Sequence, residues 1–386
     1  MKTAILKAAL FTPMSKGRWG LPILQWSGPG EGKTSVIEEV CATYGLPCVT
    51  LSPGEMGEGA FGVIPVPDMK ANVLRYPAPD WVEKVANGGV VFIDEMSSTP
   101  PALQPPLLGL LFAARIGGTV LHPRVRRLGA ANPPEIAASG FDLAPPVANR
   151  CGHIDWTAPT VNEHAAYMLR GTTGSGGEQT TTLNAEREEE RVMSVWPEAW
   201  ATAVGLETAF LQRRPELKNQ CPKAGDPKAG RAWPSDRSWE NATRAFASSQ
   251  VHGLSFSERD EFVESFIGRG AGGEFLSFIA EQDLPSPSDL LDGKITFTHS
   301  SKRLDRTAAV LAACCALVTP PQSQHRDKRA ESLWRILGGL VKGKADQDVL
   351  VPTAMALATN HLLKKAATDV LSDINPLLKA AGVSPK

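Results

Sequence analysis

Cysteine is scarce and poorly placed for chemistry. The six cysteines, Cys41, Cys48, Cys151, Cys221, Cys314 and Cys315, are scattered through 386 residues. They make no CxxC pair and keep no metal-ligand spacing to histidine. That argues against a zinc module or a disulfide scaffold and fits buried thiols in a reducing compartment, so a cytoplasmic location is expected. The adjacent Cys314-Cys315 sits in an Ala/Leu-rich stretch and reads as helix core. An excess of charge is also missing. The formal net charge is −1, so there is no global basic footprint for nucleic acid. No apolar run reaches the length of a membrane span. The opening Met1-Lys2-Thr3-Ala4-Ile5-Leu6-Lys7 places a lysine inside the would-be apolar core of a signal peptide, so no export signal is read there. No internal repeat is visible. The length suits two or three domains.

What is present is organised around Leu24-Gln25-Trp26-Ser27-Gly28-Pro29-Gly30-Glu31-Gly32-Lys33-Thr34-Ser35. The apolar run Leu21 to Trp26 reads as a short buried strand. A glycine-rich turn follows, then a helix from about Ser35 to Tyr44. A phosphate-binding loop needs this strand–loop–helix context. The glycines let successive N–H groups curl toward one anion, and the helix N-terminus adds its partial positive charge. In the phosphate-loop pattern, Lys33 would reach the β- and γ-phosphates of ATP and the Thr34 hydroxyl would hold Mg²⁺. The pattern wants glycine at position 27, where this chain has Ser27. The plain alternative is a glycine-rich turn before an ordinary helix.

The run Gly88-Gly89-Val90-Val91-Phe92-Ile93-Asp94-Glu95 reads as a central parallel strand, buried on both faces and ending in two carboxylates. Ligands of open α/β sheets bind at such strand ends. Asp94 would support the Mg²⁺ shell and Glu95 would act as base on the attacking water. The alternative is a pair of acids at a helix start. A further strand, Arg127 to Asn132, ends in an amide that could orient the same water; Asn132 could also be a turn residue before Pro133-Pro134. A last strand is expected over Cys151–Trp156, with Arg150 just before it.

Between these strands the chain is less regular. Residues 52–80 are rich in glycine and proline and read as an inserted loop or hairpin. Within them Phe61 is a candidate contact for a client, or a plug on its own domain. Asp80 caps a short helix. Residues 102–114 read as an apolar helix, followed by a hairpin around Gly117-Gly118. Arginines 115, 124, 126 and 127 crowd this region, as a nucleic-acid contact, a solvated hairpin or a subunit contact. Residues 171–182 are low in complexity. Helical periodicity covers 184–215, a loop spans 219–232, and Ser235 reads as the cap of a helix carrying Arg237 in its first turn. The helix dipole disfavours a cation there, which points to a role for Arg237. From 258 onward the pattern is helical, broken at 283–287, with one further strand candidate at Ile295-Thr296-Phe297.

In this order the parts resemble an AAA+ ATPase. The insert at 52–80, Ile93-Asp94-Glu95-Met96 followed by Gln104 and Leu107-Leu108, Ala131-Asn132-Pro133-Pro134, and Trp233-Pro234-Ser235-Asp236-Arg237-Ser238-Trp239 make it similar to the MoxR group, which carries an insertion in its second helix. The resemblance covers about 20–250, and 258–292 loosely. It implies an α/β fold: a phosphate-loop parallel sheet with flanking helices, then an all-α lid and a C-terminal helical region. The expected domains are a nucleotide-binding domain at 1–170, a linker at 171–183, a helical lid with the second sensor at 184–292, and a helical extension at 293–386. Carried across, Ser27 to Thr34 form the Walker A loop, with Gly28, Pro29, Gly30, Glu31, Gly32, Lys33 and Ser35 at the nucleotide. Asp94 and Glu95 form Walker B. Asn132 becomes the first sensor, Arg150 the arginine finger acting on a neighbouring subunit's ATP, and Arg237 the second sensor. Asn149-Arg150-Cys151 stands where the family usually has Asp-Arg-Phe.

The resemblance implies an ATPase that assembles as a hexameric ring. It would remodel or activate a client protein in chaperone fashion, with a partner bearing a von Willebrand factor A domain as one possibility. A nucleic-acid motor or loader and a nucleotide-gated assembly scaffold are the alternatives; the charge balance speaks against the first and the water-positioning pair against the second.

Overall fold

The computed structural model describes residues 3–57, 61, 64–133, 135–137, 140–157, 160–171, 183–223, 225–363, 368–380 and 382. Most of the expected linker, residues 172–182, lies outside them. The chain forms two compact units, Met1–Ser194 with Asn219–Gly272, and Val195–Lys218 with Gly273–Lys386.

The first unit begins with α1 (Thr3–Leu10), β1 (Ile23–Trp26), α2 (Lys33–Thr43), β2 (Cys48–Leu51) and the short α3 (Pro53–Met56). The insert then forms an antiparallel hairpin, β3 (Val66–Asp68) with β4 (Val73–Arg75), and α4 (Trp81–Lys84) starts at Asp80, whose carboxylate accepts from the Trp81 N–H. There follow β5 (Gly89–Ile93), α5 (Gln104–Leu108), the hairpin β6 (Arg115–Ile116) with β7 (Thr119–Val120), β8 (Val125–Ala131), α6 (Pro145–Ala148), β9 (Gly152–Asp155) and α7 (Val161–Gly171). The long α8 (Ala185–Arg213) and α10 (Phe256–Ala280) each contribute to both units, and α9 (Asp236–His252) belongs to the first.

Five strands form one parallel sheet in the order β2-β5-β8-β1-β9. All five residues of β5 and all seven of β8 are buried; β5 therefore reads as an unbroken apolar run, while β8 carries Arg126 and Arg127 within it. Trp26 sits opposite Ala131 on one side and Asp155 on the other, and Ile93 opposite Gly129. This register brings the ends of β1, β5 and β8 to one edge. Gly129 is needed close by: a Cβ there would lie 2.5 Å from the Met96 sulfur.

The stretch 102–114 is not one regular helix. It is a 3₁₀ turn at Pro101–Leu103, then α5, then a π turn at Gly109–Ala113 that stops at Ala114 in the left-handed region. Pro105 and Pro106 have no N–H to donate, so the segment can only start helix there. Phe61 is fully buried in the core with Trp81, Val85 and Ile93, so it is a plug on its own domain and not a client contact.

The second unit is helical, with α11 (Pro287–Leu291), α12 (Leu304–Val318), α13 (Arg326–Lys342), α14 (Gln347–Thr359) and α15 (Thr368–Ala380). Leu311, Cys314, Trp334, Leu337, Leu350 and Leu357 fill its core, and the Trp334 indole donates to the Leu362 carbonyl at 2.9 Å. Ile295–Phe297 is not a strand. Phe297 packs against this core and lies under the Arg306 guanidinium at 5.3 Å. Among the described residues no helix is long and apolar enough to cross a membrane.

Candidate nucleotide site

The loop between β1 and α2 turns at Gly30 and Gly32, both in the left-handed region with φ of +77° and +76°. Only glycine adopts these conformations without strain. Ser27 is different. Its N–H donates to the Ala131 carbonyl at 3.2 Å, so it extends the sheet ladder one residue beyond β1, and it has no positive φ. Its hydroxyl donates to the Gly28 carbonyl at 3.0 Å. Glycine is therefore not demanded at position 27. The loop is tied to the end of β9 as well, because the Trp156 indole donates to the Glu31 carbonyl at 3.3 Å.

Lys33 opens α2 and is buried. Its ammonium donates to the carbonyls of Ser27 and Gly28, each at 3.1 Å, and to Asn132 Oδ1 at 2.6 Å. Burial lowers its pKa, against the opposing pull of Asp94, Glu31 and Glu95. The Thr34 hydroxyl donates to Asp94 Oδ2 at 2.7 Å. Asp94 Oδ1 accepts from the Glu95 N–H at 2.8 Å, and Glu95 itself is exposed and held in the left-handed region at φ 53°. A bulky non-glycine residue there is strained, and strain of this kind collects at functional sites. Lys33, Thr34, Asp94, Glu95 and Asn132 thus meet at one edge of the parallel sheet.

Ser97, fully buried, is a member of this cluster that sequence reasoning passed over. Its hydroxyl accepts from the Asn132 N–H at 3.1 Å, linking the turn after β5 to the end of β8. A small polar residue two positions after Glu95 is its sole sequence signal. Behind the loop, the His153 imidazole donates from Nε2 to the Ala148 carbonyl at 2.9 Å and accepts the Trp26 indole N–H on Nδ1 at 2.9 Å. That pattern requires a neutral ring, and burial pushes its pKa down to about 4. The Arg231 guanidinium lies 4.0 Å over the Trp26 ring and pairs with Asp155 at 3.1 Å.

Arg150 and Arg237 form a second group. Arg150 donates to the Pro146 carbonyl at 3.0 Å and lies 5.1 Å over the Phe112 ring. Its pKa is lowered, first by burial and then by the charge of Arg237. Arg237 is exposed in the first turn of α9, whose start is a capping box between Ser235 and Ser238. No contact joins this pair to Lys33 among the described residues. The helix α9 is anchored on the α/β unit by Arg244 to the Pro13 carbonyl at 2.8 Å and by Ser248 to the Ala8 carbonyl at 3.0 Å.

Of the arginine run, Arg115 is exposed and the other three are buried or paired. Arg126 and Arg127 are buried, and Arg126 pairs with Glu189 at 2.5 Å. Arg124 pairs with Glu186 at 2.7 Å and Glu189 at 2.9 Å. The insert hairpin, by contrast, exposes Ile64, Val66, Met69, Val73, Leu74 and Tyr76.

No protein-family model and no curated protein matches the chain. Among solved structures, the crystal structure of a "putative ATPase" from Cytophaga hutchinsonii ATCC 33406 is similar to it. The likeness covers 73% of this chain and 88% of that one, at 12% sequence identity and a TM-score of 0.48.

Proposed function

We propose that this chain binds and hydrolyses ATP as an AAA+ protein of the MoxR kind. The observation that carries the reading is the pair of contacts closing one sheet edge, Thr34 to Asp94 at 2.7 Å and Lys33 to Asn132 at 2.6 Å. A left-handed glycine loop and a helix N-terminus next to them can receive phosphate oxygens.

The donor set suits Mg²⁺. Thr34 and Asp94 offer a hydroxyl and a carboxylate oxygen in contact. Among the described residues no group of three or more acids, histidines or cysteines could cage a metal alone. Mg²⁺ is held in this way, by few protein oxygens, with water and phosphate completing the shell. When bound, it neutralises charge on the phosphates. Lys33 would leave its loop carbonyls for the γ-phosphate, Glu95 would take a proton from the attacking water, and the Asn132 amide would orient that water. Phosphoryl transfer depends on such positioning and charge neutralisation more than on covalent chemistry.

The finer reading is a ring, hexameric by resemblance, in which Arg150 acts on a neighbour's ATP and the exposed apolar insert hairpin meets a client. The client could be one with a von Willebrand factor A domain. The deciding experiment is turnover of ATP with Mg²⁺ by the wild-type chain and by Lys33→Ala. Loss of turnover in the variant is expected; equal turnover would end the reading. A nucleic-acid motor keeps only Arg115 of its arginine run as an exposed and unpaired cation among the described residues, since Arg126 and Arg127 are buried and Arg124 is paired. A slow scaffold has no use for Glu95 beside Asn132.

A further inference from the structure

Asn149 immediately precedes Arg150, is buried, and spends both ends of its amide on the segment that starts α9. Its Nδ2 donates to the Trp233 carbonyl at 2.8 Å, and its Oδ1 accepts from the Ser235 hydroxyl at 2.7 Å. The amide orientation is forced, because a carbonyl can only accept. Ser235 is the N-cap of α9, and its hydroxyl also receives the Ser238 N–H at 3.2 Å. The Ser238 hydroxyl returns to the Trp233 carbonyl at 2.9 Å and accepts the Ser235 N–H at 2.7 Å. The result is a closed network across 86 residues of sequence. Arg150 follows Asn149 directly in the chain, and Arg237 stands two residues past Ser235.

The network does something the arginines cannot do for themselves. Arg150 has its own tether, the Pro146 carbonyl and the Phe112 ring. Among the described residues no hydrogen bond or ion pair holds the Arg237 side chain, and two nearby guanidinium charges repel. An aspartate at 149 could not hold this arrangement, since it has no N–H for Trp233 and would set a carboxylate against that carbonyl. That accounts for the departure from the family's Asp-Arg pattern. We propose that Asn149 is a positioning residue that fixes Arg237 beside Arg150, so that the two guanidinium groups meet one polyphosphate as a pair. The inference rests on the nucleotide reading for the identity of that polyphosphate.

The test uses the full chain. Asn149→Asp, Ser235→Ala and Ser235→Thr are compared for kcat and KM with ATP and Mg²⁺, alone and in an Arg237→Ala background. Losing one hydrogen bond of the network should cost about ten-fold in kcat for Asn149→Asp and for Ser235→Ala, with KM little changed. Ser235→Thr, which keeps the hydroxyl, should restore turnover; it also serves if Asn149→Asp does not fold. In the Arg237→Ala background neither loss should add further. The same loss in both backgrounds would overturn the proposal.

A second readout does not need turnover. Inorganic tripolyphosphate should slow amide exchange at 236–239 in the wild type, but not in Asn149→Asp or Arg237→Ala. Equal slowing in all three would overturn the proposal even in an active enzyme. A wild type that neither binds nor hydrolyses ATP would sink the nucleotide reading alone, because the exchange result still decides the role of Asn149.

Discussion

Thr34 and Asp94 stand 60 residues apart in the chain, yet the threonine hydroxyl donates to the aspartate carboxylate at 2.7 Å. The contact exists because β1 and β5 end at the same edge of the sheet, with β8 between them. If the two oxygens share a cation, Thr34→Ala and Asp94→Asn should each raise the Mg²⁺ concentration for half-maximal turnover about ten-fold or more. A magnesium titration reads this directly, and an unchanged midpoint would remove the metal assignment.

Glu95 is exposed and conformationally strained, so its side chain is free to face a water. Glu95→Gln should lower turnover by about 10²–10⁴, the usual worth of a general base, while keeping ATP affinity. Filter binding separates the two. A variant that loses binding as well would make Glu95 a structural residue.

Arg150→Ala should abolish turnover and spare ATP binding if the residue serves a neighbouring subunit. Light scattering with and without ATP and Mg²⁺, on Glu95→Gln, should show a nucleotide-dependent mass near six subunits. A monomer under every condition would leave the phosphate loop standing and remove the finger.

Ser97→Ala strips the Asn132 N–H of its buried acceptor. An orphaned, partly buried donor costs about 1 kcal/mol, so the denaturation midpoint should fall and turnover with it. Ser97→Thr, if it packs, should recover part of both.

His153 sets a pH dependence of stability. Its folded pKa, like that of His252, is pushed down to about 4 from the ordinary 6.5 by burial. Between those values the unfolded chain binds more protons than the folded one. Stability is therefore full above about 6.5 and lost as the pH falls toward 4. Melting temperatures measured across this window should drop, and His153→Gln should flatten the fall. A flat wild-type profile would show that the ring is hydrated.

The central strand β5 could be seen in the sequence because it is covered on both faces. Gly89–Ile93 is then an apolar run with nothing to interrupt it, whereas in Cys48–Leu51 the exposed Thr50 alternates with buried Val49 and Leu51. The loop glycines were visible for a local reason, since Gly30 and Gly32 must adopt positive φ. Contacts made at long range left no such trace. Asn149 meets Ser235 through a single amide, and no periodicity marks it. Arg126 and Arg127 look like surface charge until Glu189, on α8, is seen to accept one of them and the core to enclose both. Phe61 sits in a glycine-rich stretch that suggests exposure, and only the tertiary core shows where it goes.

One consequence of the Lys33 contacts concerns how a nucleotide would leave. The ammonium rests on the Ser27 and Gly28 carbonyls and on the Asn132 amide oxygen, three neutral acceptors that solvate it from within the chain. A departing phosphate would hand the buried cation back to these three oxygens. Lys33 has a docking place to swing back to, and the loop carries its own stopper. If ATP is the ligand, its entry and the escape of ADP become an exchange of partners at one nitrogen.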